Sequence, residues 1–466
     1  MKPPAALWLA GLVLAAGCTM GPNYRRPAVP VPPQFPGAAA EASASSLAEK
    51  KWVDLFEDEK LHQLVATALE QNFDLGIASE RVEEARARFR ITAAGEYPSL
   101  SAQSEFAGNR PTRIGANPIV PATLSLDSSY TQAGGALAWE LDLWGRLRRM
   151  TESSRAQYLA TEEGRRGVIV SLIAEVTGAY LTLRERDLEL EIARATRDVA
   201  EQNLKLIGVR HDHGAATGLD LHQAEQFVYT TSGQIASSQR EIGQSEDALN
   251  LLLGQMPGEI ARGRAVDDFG LPPEVPAGLP SALLERRPDI RQAEQLLISA
   301  NAQIGVARAS FFPQISLTGF LGGQSRSLFN LFTGPARFWN IAPATTVPIF
   351  EAGQLRAGLR LTEAQKREML INYRKAIYTA FREVSDALVR YDRTREQRKQ
   401  QDQLIRASAE TVRLAMLRYQ GGLDSYLQVL DAERNLFQGR LVLAQLRLQE
   451  LLSFVEIYRA LGGGWQ

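Results

Sequence analysis

Apolar positions along this 466-residue chain repeat with two different periods. Leu100, Ala102, Ser104 and Phe106 alternate with Ser99, Ser101, Gln103 and Glu105, and Leu137, Trp139, Leu141 and Leu143 alternate with Ala136, Ala138, Glu140 and Asp142. A two-residue period predicts strands with one apolar face. Ile315 and Leu317 oppose Gln314, Ser316 and Thr318 in a third segment, while Ile341, Val347 and Ile349 share a face of a fourth. Tyr97, Trp144, Phe311, Phe312, Trp339 and Phe350 sit near the segment ends. Aromatic residues are expected there if strands of roughly 10 residues cross a bilayer. Elsewhere the period lengthens to an average of about 3.5, a coiled-coil seam. Ile169, Ile173, Val176, Tyr180 and Leu183 form one seam, Ile377, Phe381, Val384, Leu388 and Tyr391 a second, and Phe437, Leu441, Ala444, Leu448, Leu451 and Val455 a third. Gly214 and Gly218, then Gly421 and Gly422, mark the turns of two helical hairpins. A preceding helix is expected from about Leu61 to Ala94 and again from about Ser281 to Ala309.

The same order of elements occurs twice. Leu69, Glu70, Asp74, Ala85, Ala87, Ala94, Pro98 and Ser101 recur 215 residues later as Leu284, Glu285, Asp289, Ala300, Ala302, Ala309, Pro313 and Ser316. Beyond that point the offset is 208, pairing Gly145 with Gly353, Glu175 with Glu383, Glu225 with Glu433 and Gly254 with Gly462. The change of seven puts a longer loop between Pro98 and Gly145 in the first copy. Repeats of this kind reveal a duplicated unit. Each half is thus two strands plus a long coiled-coil helical hairpin, and a Gly/Pro-rich stretch joins the halves.

Proline placement supports the hairpins. Of 22 prolines, six fall between Pro22 and Pro36, and Pro-free tracts of 135 and 118 residues follow Pro121 and Pro348. Proline costs a helix interior about 3 kcal/mol, so these tracts admit very long helices. A 60-residue helix would span about 90 Å.

Composition narrows the function classes. With 52 Lys+Arg against 53 Asp+Glu, the chain lacks the cationic excess of a nucleic-acid binder. One cysteine excludes an internal disulfide framework and thiolate zinc clusters. The longest apolar run, Ala5 to Gly17, is 13 residues, too short to span a bilayer as a helix, which needs roughly 20. A β-barrel is not excluded, because its strands alternate. Four such strands cannot close a barrel, and an open sheet edge cannot face lipid. Several copies must contribute strands, and a conducting lumen needs at least three, since an eight-stranded barrel is filled by its own side chains. Gln103, Glu105, Glu140 and Asp142 are then expected to line the lumen.

The amino terminus reads as an address. Lys2, an apolar stretch and the small residues Ala15, Ala16 and Gly17 precede Cys18, the pattern of a secretory signal peptide. It is similar to a bacterial lipobox, which implies N-acyl and S-diacylglycerol lipid on Cys18 and, with Thr19 next, export to the outer membrane. No other cofactor is expected. The Pro-rich segment that follows is extended, either a tether or a strap anchored by Tyr24 and Phe35. The expected organisation is a signal peptide over 1–17, the lipidated extended segment over 18–55, repeats over 56–254 and 281–462 separated by a linker over 255–280, and a tail over 463–466.

CTMGPNYRRP from Cys18, LLERRPDIRQAE from Leu283 to Glu294, YQGGLDSYLQVLDAERNLF from Tyr419 to Phe437 and LGGGW from Leu461 to Trp465 resemble the outer membrane factor family, the TolC-like channels, in its lipoprotein branch serving RND-type efflux systems. The resemblance implies a homotrimer whose 12-stranded outer-membrane barrel continues into a periplasmic α-helical barrel. It also implies a periplasmic adaptor and an inner-membrane RND-type transporter as partners, with the chain as exit duct. By this resemblance Asp431 matches the gate aspartate, Leu427 an apolar constriction residue, and Arg434 and Tyr419 positions that tie coils together. Gln428 stands where some members carry a second gate Asp. The alternative for Leu427 and Asp431 is a coiled-coil core residue and a solvated one.

Other clusters carry less. His211, His213 and His222 lie at the first hairpin tip, where polar surface is favoured over a metal site. Glu57, Asp58 and Glu59 read as solvated surface, and Gly462 to Gly464 as a flexible end. No phosphate-loop, dinucleotide or nucleophile-elbow motif is present, so an enzyme is not expected. An adaptor-type lipoprotein or a lipid-anchored coiled-coil protein is the competing reading, though neither needs two strand pairs.

Overall fold

A computed structural model describes residues 19–32, 35, 47–49, 51–110, 112, 127–270 and 280–464; the signal peptide, Cys18 and Trp465 lie outside them. The helices are α1 (Glu59–Gln71), α2 (Phe73–Ala94), α3 (Arg146–Asp212), α4 (Gly218–Leu252), α5 (Leu283–Arg286), α6 (Pro288–Ala309), α7 (Gln354–Gln420) and α8 (Tyr426–Ala460). The strands are β1 (Ser99–Asn109), β2 (Ser128–Leu141), β3 (Gln314–Ser325) and β4 (Arg337–Thr346). Duplication is visible in element lengths: α3 and α7 each have 67 residues, α4 and α8 each 35, and α2 and α6 each 22. At a rise of about 1.5 Å per residue, α3 and α7 each extend about 100 Å. The loop over positions 110–127 has eighteen residues against eleven over 326–336, which accounts for the seven-residue change in offset.

Contacts divide the chain into two units, one comprising Met1–Pro27, Glu83–Ala160 and Ala293–Asn372, the other Ala28–Val82, Thr161–Gln292 and Tyr373–Gln466. The first unit holds the sheet, β1-β2-β3-β4, with every neighbouring pair antiparallel. In its helical part small and polar side chains share the core with Leu147, Leu297 and Ile304. Ser153 and Ser299 hydroxyls lie 2.8 Å apart, and Ala156 and Ala302 are buried. Residues 19–27 form the expected strap, here held by polar contacts. Met20 N donates to Trp144 O at 3.0 Å, Asn301 Nδ2 to Pro22 O at 2.8 Å, and Tyr24 Oη to Glu294 Oε1 at 3.0 Å.

The second unit holds the seams. Ile173, Val176, Tyr180, Leu183, Ile377, Val384, Leu388, Tyr391, Phe437, Leu451 and Val455 are buried, and Phe381 and Leu448 are half-buried. Phe35 is buried with its ring 5.7 Å from that of Phe381.

The first helix of each repeat is broken where the periodicity suggested continuity. Asn72 (φ −63°, ψ 131°) separates α1 from α2, and Arg287 (φ −76°, ψ 121°) separates α5 from α6. At Arg287 the cause is Pro288, which drives the preceding residue to extended backbone and suits the first helical position. At Asn72 the side chain accepts from Leu75 N at 3.0 Å, capping the new helix as its own backbone leaves the old one.

These two breaks make one pseudo-symmetric joint. Asn72 Nδ2 donates to Leu252 O at 2.8 Å, and at the equivalent positions, 215 and 208 residues on, Arg287 Nη1 donates to Ala460 O at 3.0 Å, so each satisfies the last carbonyl of a returning helix. Arg287, buried, also meets Asp289 at 2.7 Å and Glu383 at 2.8 Å. Past each helix end stands a glycine with positive φ, Gly254 at +70° and Gly462 at +79°. Gly462 to Gly464 are therefore no flexible end: Gly463 N donates to Tyr458 O at 3.1 Å.

Asp58 likewise departs from the solvated expectation. It is buried and caps α1, accepting from Lys60 N at 2.8 Å, while Tyr180 Oη at 3.1 Å and Arg264 N at 2.9 Å donate to it. Burial, opposed in part by a hydrogen bond to Gly263 N, pushes the Tyr180 phenol up to about 12.

A methyl group at Gly254 would lie 2.3 Å from Gln71 O, whereas one at Gly214 (φ +72°) meets nothing. Gly214→Ala should therefore cost only the left-handed strain, about 1–2 kcal/mol. Gly254→Ala should cost distinctly more because backbone must move. Thermal unfolding of the two variants checks the order.

Candidate functional site

Two places on the chain are organised beyond what stability requires, the sheet and the hairpin tips. Paired positions across antiparallel strands point to the same face. The register aligns Leu100, Leu137, Gly319 and Ile341 across all four strands. One face accordingly carries Leu100, Phe106, Leu137, Trp139, Leu317, Leu321, Trp339 and Ile341. The other carries Ser99, Ser101, Gln103, Glu105, Gln132, Ser316, Thr318 and Asn340, with Tyr130, Phe320 and Phe338 among them. Leu100, Phe106, Leu321 and Trp339 are about 70% exposed or more, so no core built from the described residues covers these positions. Among the described residues neither edge strand, β1 or β4, has an outer partner. Pro343 sits within β4 opposite Leu317 of β3 and brings no backbone N–H to the ladder. Trp144 Nε1 donates to Pro313 O at 2.8 Å and its ring stacks on Phe312 at 4.8 Å, an aromatic cluster at the helix-facing end.

Two expected lumen carboxylates are committed elsewhere. Glu140 shares the polar face with Glu105 but is paired with Arg146 Nη2 at 2.6 Å. Asp142 lies past the end of β2, where it accepts from Arg148 N at 2.9 Å and caps the start of α3. Leu143 is also beyond β2, and Val347 and Ile349 are beyond β4, which stops at Thr346 ahead of Pro348.

At the tips, Gly214 and Gly422 each take φ +72° and close the same turn. Ala215 N returns to Arg210 O at 2.7 Å and Leu423 N to Arg418 O at 2.9 Å, the six-residue closure of a Schellman motif. Gly218 opens α4 rather than forming the turn, and Gly421 precedes the left-handed residue. Chemistry then diverges. Thr217 and Asp220 form a capping box on α4, whereas Ser425 makes no side-chain cap on α8 and Arg418 instead binds Asp424 at 2.5 Å. His211 and His222 sit beside Asp212 and Glu225, and no group of three metal-ligating side chains occurs among the described residues.

Beneath the tips a cluster of Ala200, Ile207, Phe227, Tyr426, Val429, Leu430 and Phe437 packs the two hairpins together. Tyr419 belongs to it: its ring lies 4.8 Å from the Arg210 guanidinium and 5.4 Å from Tyr426. Burial raises its phenol, and Asp220 adds to the effect. On the opposite side of α8, Leu427, Gln428, Asp431 and Arg434 are exposed, and Asp431 accepts from Asn435 at 3.3 Å. Thr411, Leu414, Arg418, Asp424, Gln428 and Asp431 line a groove between the end of α7 and the start of α8.

The sequence profile described as outer membrane efflux protein matches residues 64–255 and 279–463, once per repeat. The chain belongs to the outer membrane efflux protein family. It is 39% identical over 457 residues to the probable efflux pump outer membrane protein TtgC of Pseudomonas putida, covering 97% of this chain and 94% of that one. It is 36% identical over 474 residues to the cation efflux system protein CusC of Escherichia coli, covering both in full. The solved open state of the MtrE outer membrane channel of Neisseria gonorrhoeae superimposes with a TM-score of 0.86 at 31% identity, over 96% of this chain and 99% of that one. This efflux protein is thus an outer-membrane transport channel and not an enzyme.

In this efflux protein the matched residues Leu427, Asp431 and Arg434 share the exposed side of α8, while Tyr419, at the end of α7, is buried. Glu433 was overlooked. It is buried, accepts from Asn203 Nδ2 at 2.5 Å, and burial pushes its carboxyl up to about 7. Its signal was present in the period: Tyr426, Leu430, Glu433 and Phe437 follow the 4-3-4 spacing of a seam.

Proposed function

We propose that three copies of the chain close a twelve-stranded barrel in the outer membrane, and that the trimer is the exit duct of a tripartite efflux pump. The observation that carries this reading is the sheet itself, which among the described residues has one uncovered apolar face, one largely polar face and two open edges. In hydrocarbon an open edge leaves backbone groups unbonded, so β1 of one copy pairs with β4 of the next. The apolar face meets lipid, and the polar face with Gln103 and Glu105 lines water. A periplasmic adaptor has no need of two strand pairs with an exposed apolar face.

Conduction is passive, from a periplasmic adaptor and an inner-membrane RND-type transporter through the helical hairpins to the exterior. The names of TtgC and CusC, efflux proteins of their own systems, support the pump assignment. The duct is constricted at the hairpin tips by Leu427 and Asp431, both exposed in the protomer and one turn apart on α8. Threefold symmetry places three Asp431 carboxylates around one axis, a ring that favours cations. Lipid on Cys18 anchors the mature chain in the same membrane.

In planar bilayers, Asp431→Ala should raise conductance several-fold or weaken cation preference; unchanged conductance and selectivity would contradict the constriction. Radioactive palmitate should label the wild-type chain and not Cys18→Ala. Persistent labelling of the variant would remove the anchor from the account.

A further inference from the structure

Glu433 is out of place by ordinary rules. A carboxyl on a coiled-coil seam leaves water without a charged partner, which is costly unless it stays neutral. It is 7% exposed, Oε1 accepts from Asn203 Nδ2 at 2.5 Å, and Oε2 has no hydrogen-bond partner among the described residues. Asn203 belongs to α3 in the first hairpin and Glu433 to α8 in the second, so the contact ties one repeat to the other. The equivalent residue of the first repeat, Glu225, instead meets His222 at 2.8 Å on the surface. Glu433 is also two residues from Asp431 on the same helix, facing the opposite way.

We propose that Glu433 is a proton-operated latch: uncharged against Asn203 it holds α8 on the first hairpin with the constriction closed, and on losing its proton it releases α8. The proposal rests on the constriction read above at Leu427 and Asp431.

The titratable and charged groups around Glu433 come from α8, α3, α7 and α4. On α8 the facing group is the Tyr426 phenol, raised by burial first and by Glu433 next, with Arg434 beside it pointing outward. From α3 come Asn203 and Arg210, the latter stacked on Tyr419 of α7, and from α4 comes Asp220. No cation among these pairs with Glu433. Its carboxyl is raised from 4.5 to about 7 chiefly by burial, and the Asn203 contact opposes that rise. The closed form therefore binds the proton more tightly than a hydrated open form. Closure is fully supported below the ordinary carboxylate value and is lost as pH rises towards 7. The open-to-closed ratio climbs about tenfold per pH unit, by up to about 300-fold per protomer, and levels off above about pH 7.

Bilayer conductance and hydrogen exchange of the amides at 426–437 should be followed from pH 4.5 to 8 in the full-length channel. In the wild type, opening and intrinsic-rate-corrected exchange should rise together. Glu433→Gln, which keeps shape and neutrality, should stay closed and protected throughout. Asn203→Ala, which removes the tie between the hairpins, should raise exchange at 426–437 already at pH 4.5. A wild-type pH profile in Glu433→Gln, or wild-type protection at pH 4.5 in Asn203→Ala, would overturn the latch. Asp431→Ala separates the two readings. If it leaves conductance unchanged while Glu433→Gln still flattens exchange, the constriction fails and the latch stands; if it opens the pore while Glu433→Gln keeps the wild-type profile, only the latch fails.

Discussion

Each repeat is closed by one small contact, a side chain at a break in the first helix donating to the last carbonyl of the returning helix. Asn72 does this for Leu252 and Arg287 for Ala460. A helix of 35 residues ends with four carbonyls lacking intrahelical partners, and a buried one left unbonded costs about 1–3 kcal/mol. The contact removes that cost where the chain must also turn, and the turn favours glycine, since Gly254 and Gly462 both take positive φ and a Cβ at Gly254 would lie 2.3 Å from Gln71 O. Long hairpins can be stable only if their open ends are tied. Here the ties are chemically different but geometrically alike.

Divergence between the repeats is concentrated at the opposite end. The turns keep the same glycine geometry at Gly214 and Gly422, yet the first tip is neutralised by its own capping box and the second by an Arg418–Asp424 pair. The carboxyl that is solvated at Glu225 is buried at Glu433. A duplicated scaffold thereby supplies one conventional hairpin and one whose first turns carry exposed Leu427 and Asp431 outside and a buried carboxyl inside. The scaffold is set at the joint, and function at the tip.

Much of this was legible because period and face are properties of sequence. The strands at Leu100 and Leu137 and the seams at Val176 and Ile377 followed from alternation and 4-3 spacing. What failed was any feature set by a distant partner. Asp58 looks solvated among Glu57 and Glu59, and only Tyr180 and Arg264, more than 100 residues away, make it a buried cap. Glu140 and Asp142 alternate correctly with Trp139 and Leu141, but Arg146 and Arg148 claim them as α3 begins. Asn72 left no breaker signal, because asparagine inside a helix costs well under 1 kcal/mol. Pro288 did signal the matching break, and it was passed over because the apolar period runs through it.

The account depends most on the barrel being shared among copies. Ser101→Cys in β1 and Ala342→Cys in β4 place thiols on the polar face of the two edge strands. Crosslinking the Cys18→Ser form of this double variant in outer membranes with a short bifunctional maleimide should give a ladder of monomer, dimer and trimer that stops at trimer. A ladder that stops at dimer, or crosslinks confined to single chains, would contradict a barrel closed by three copies.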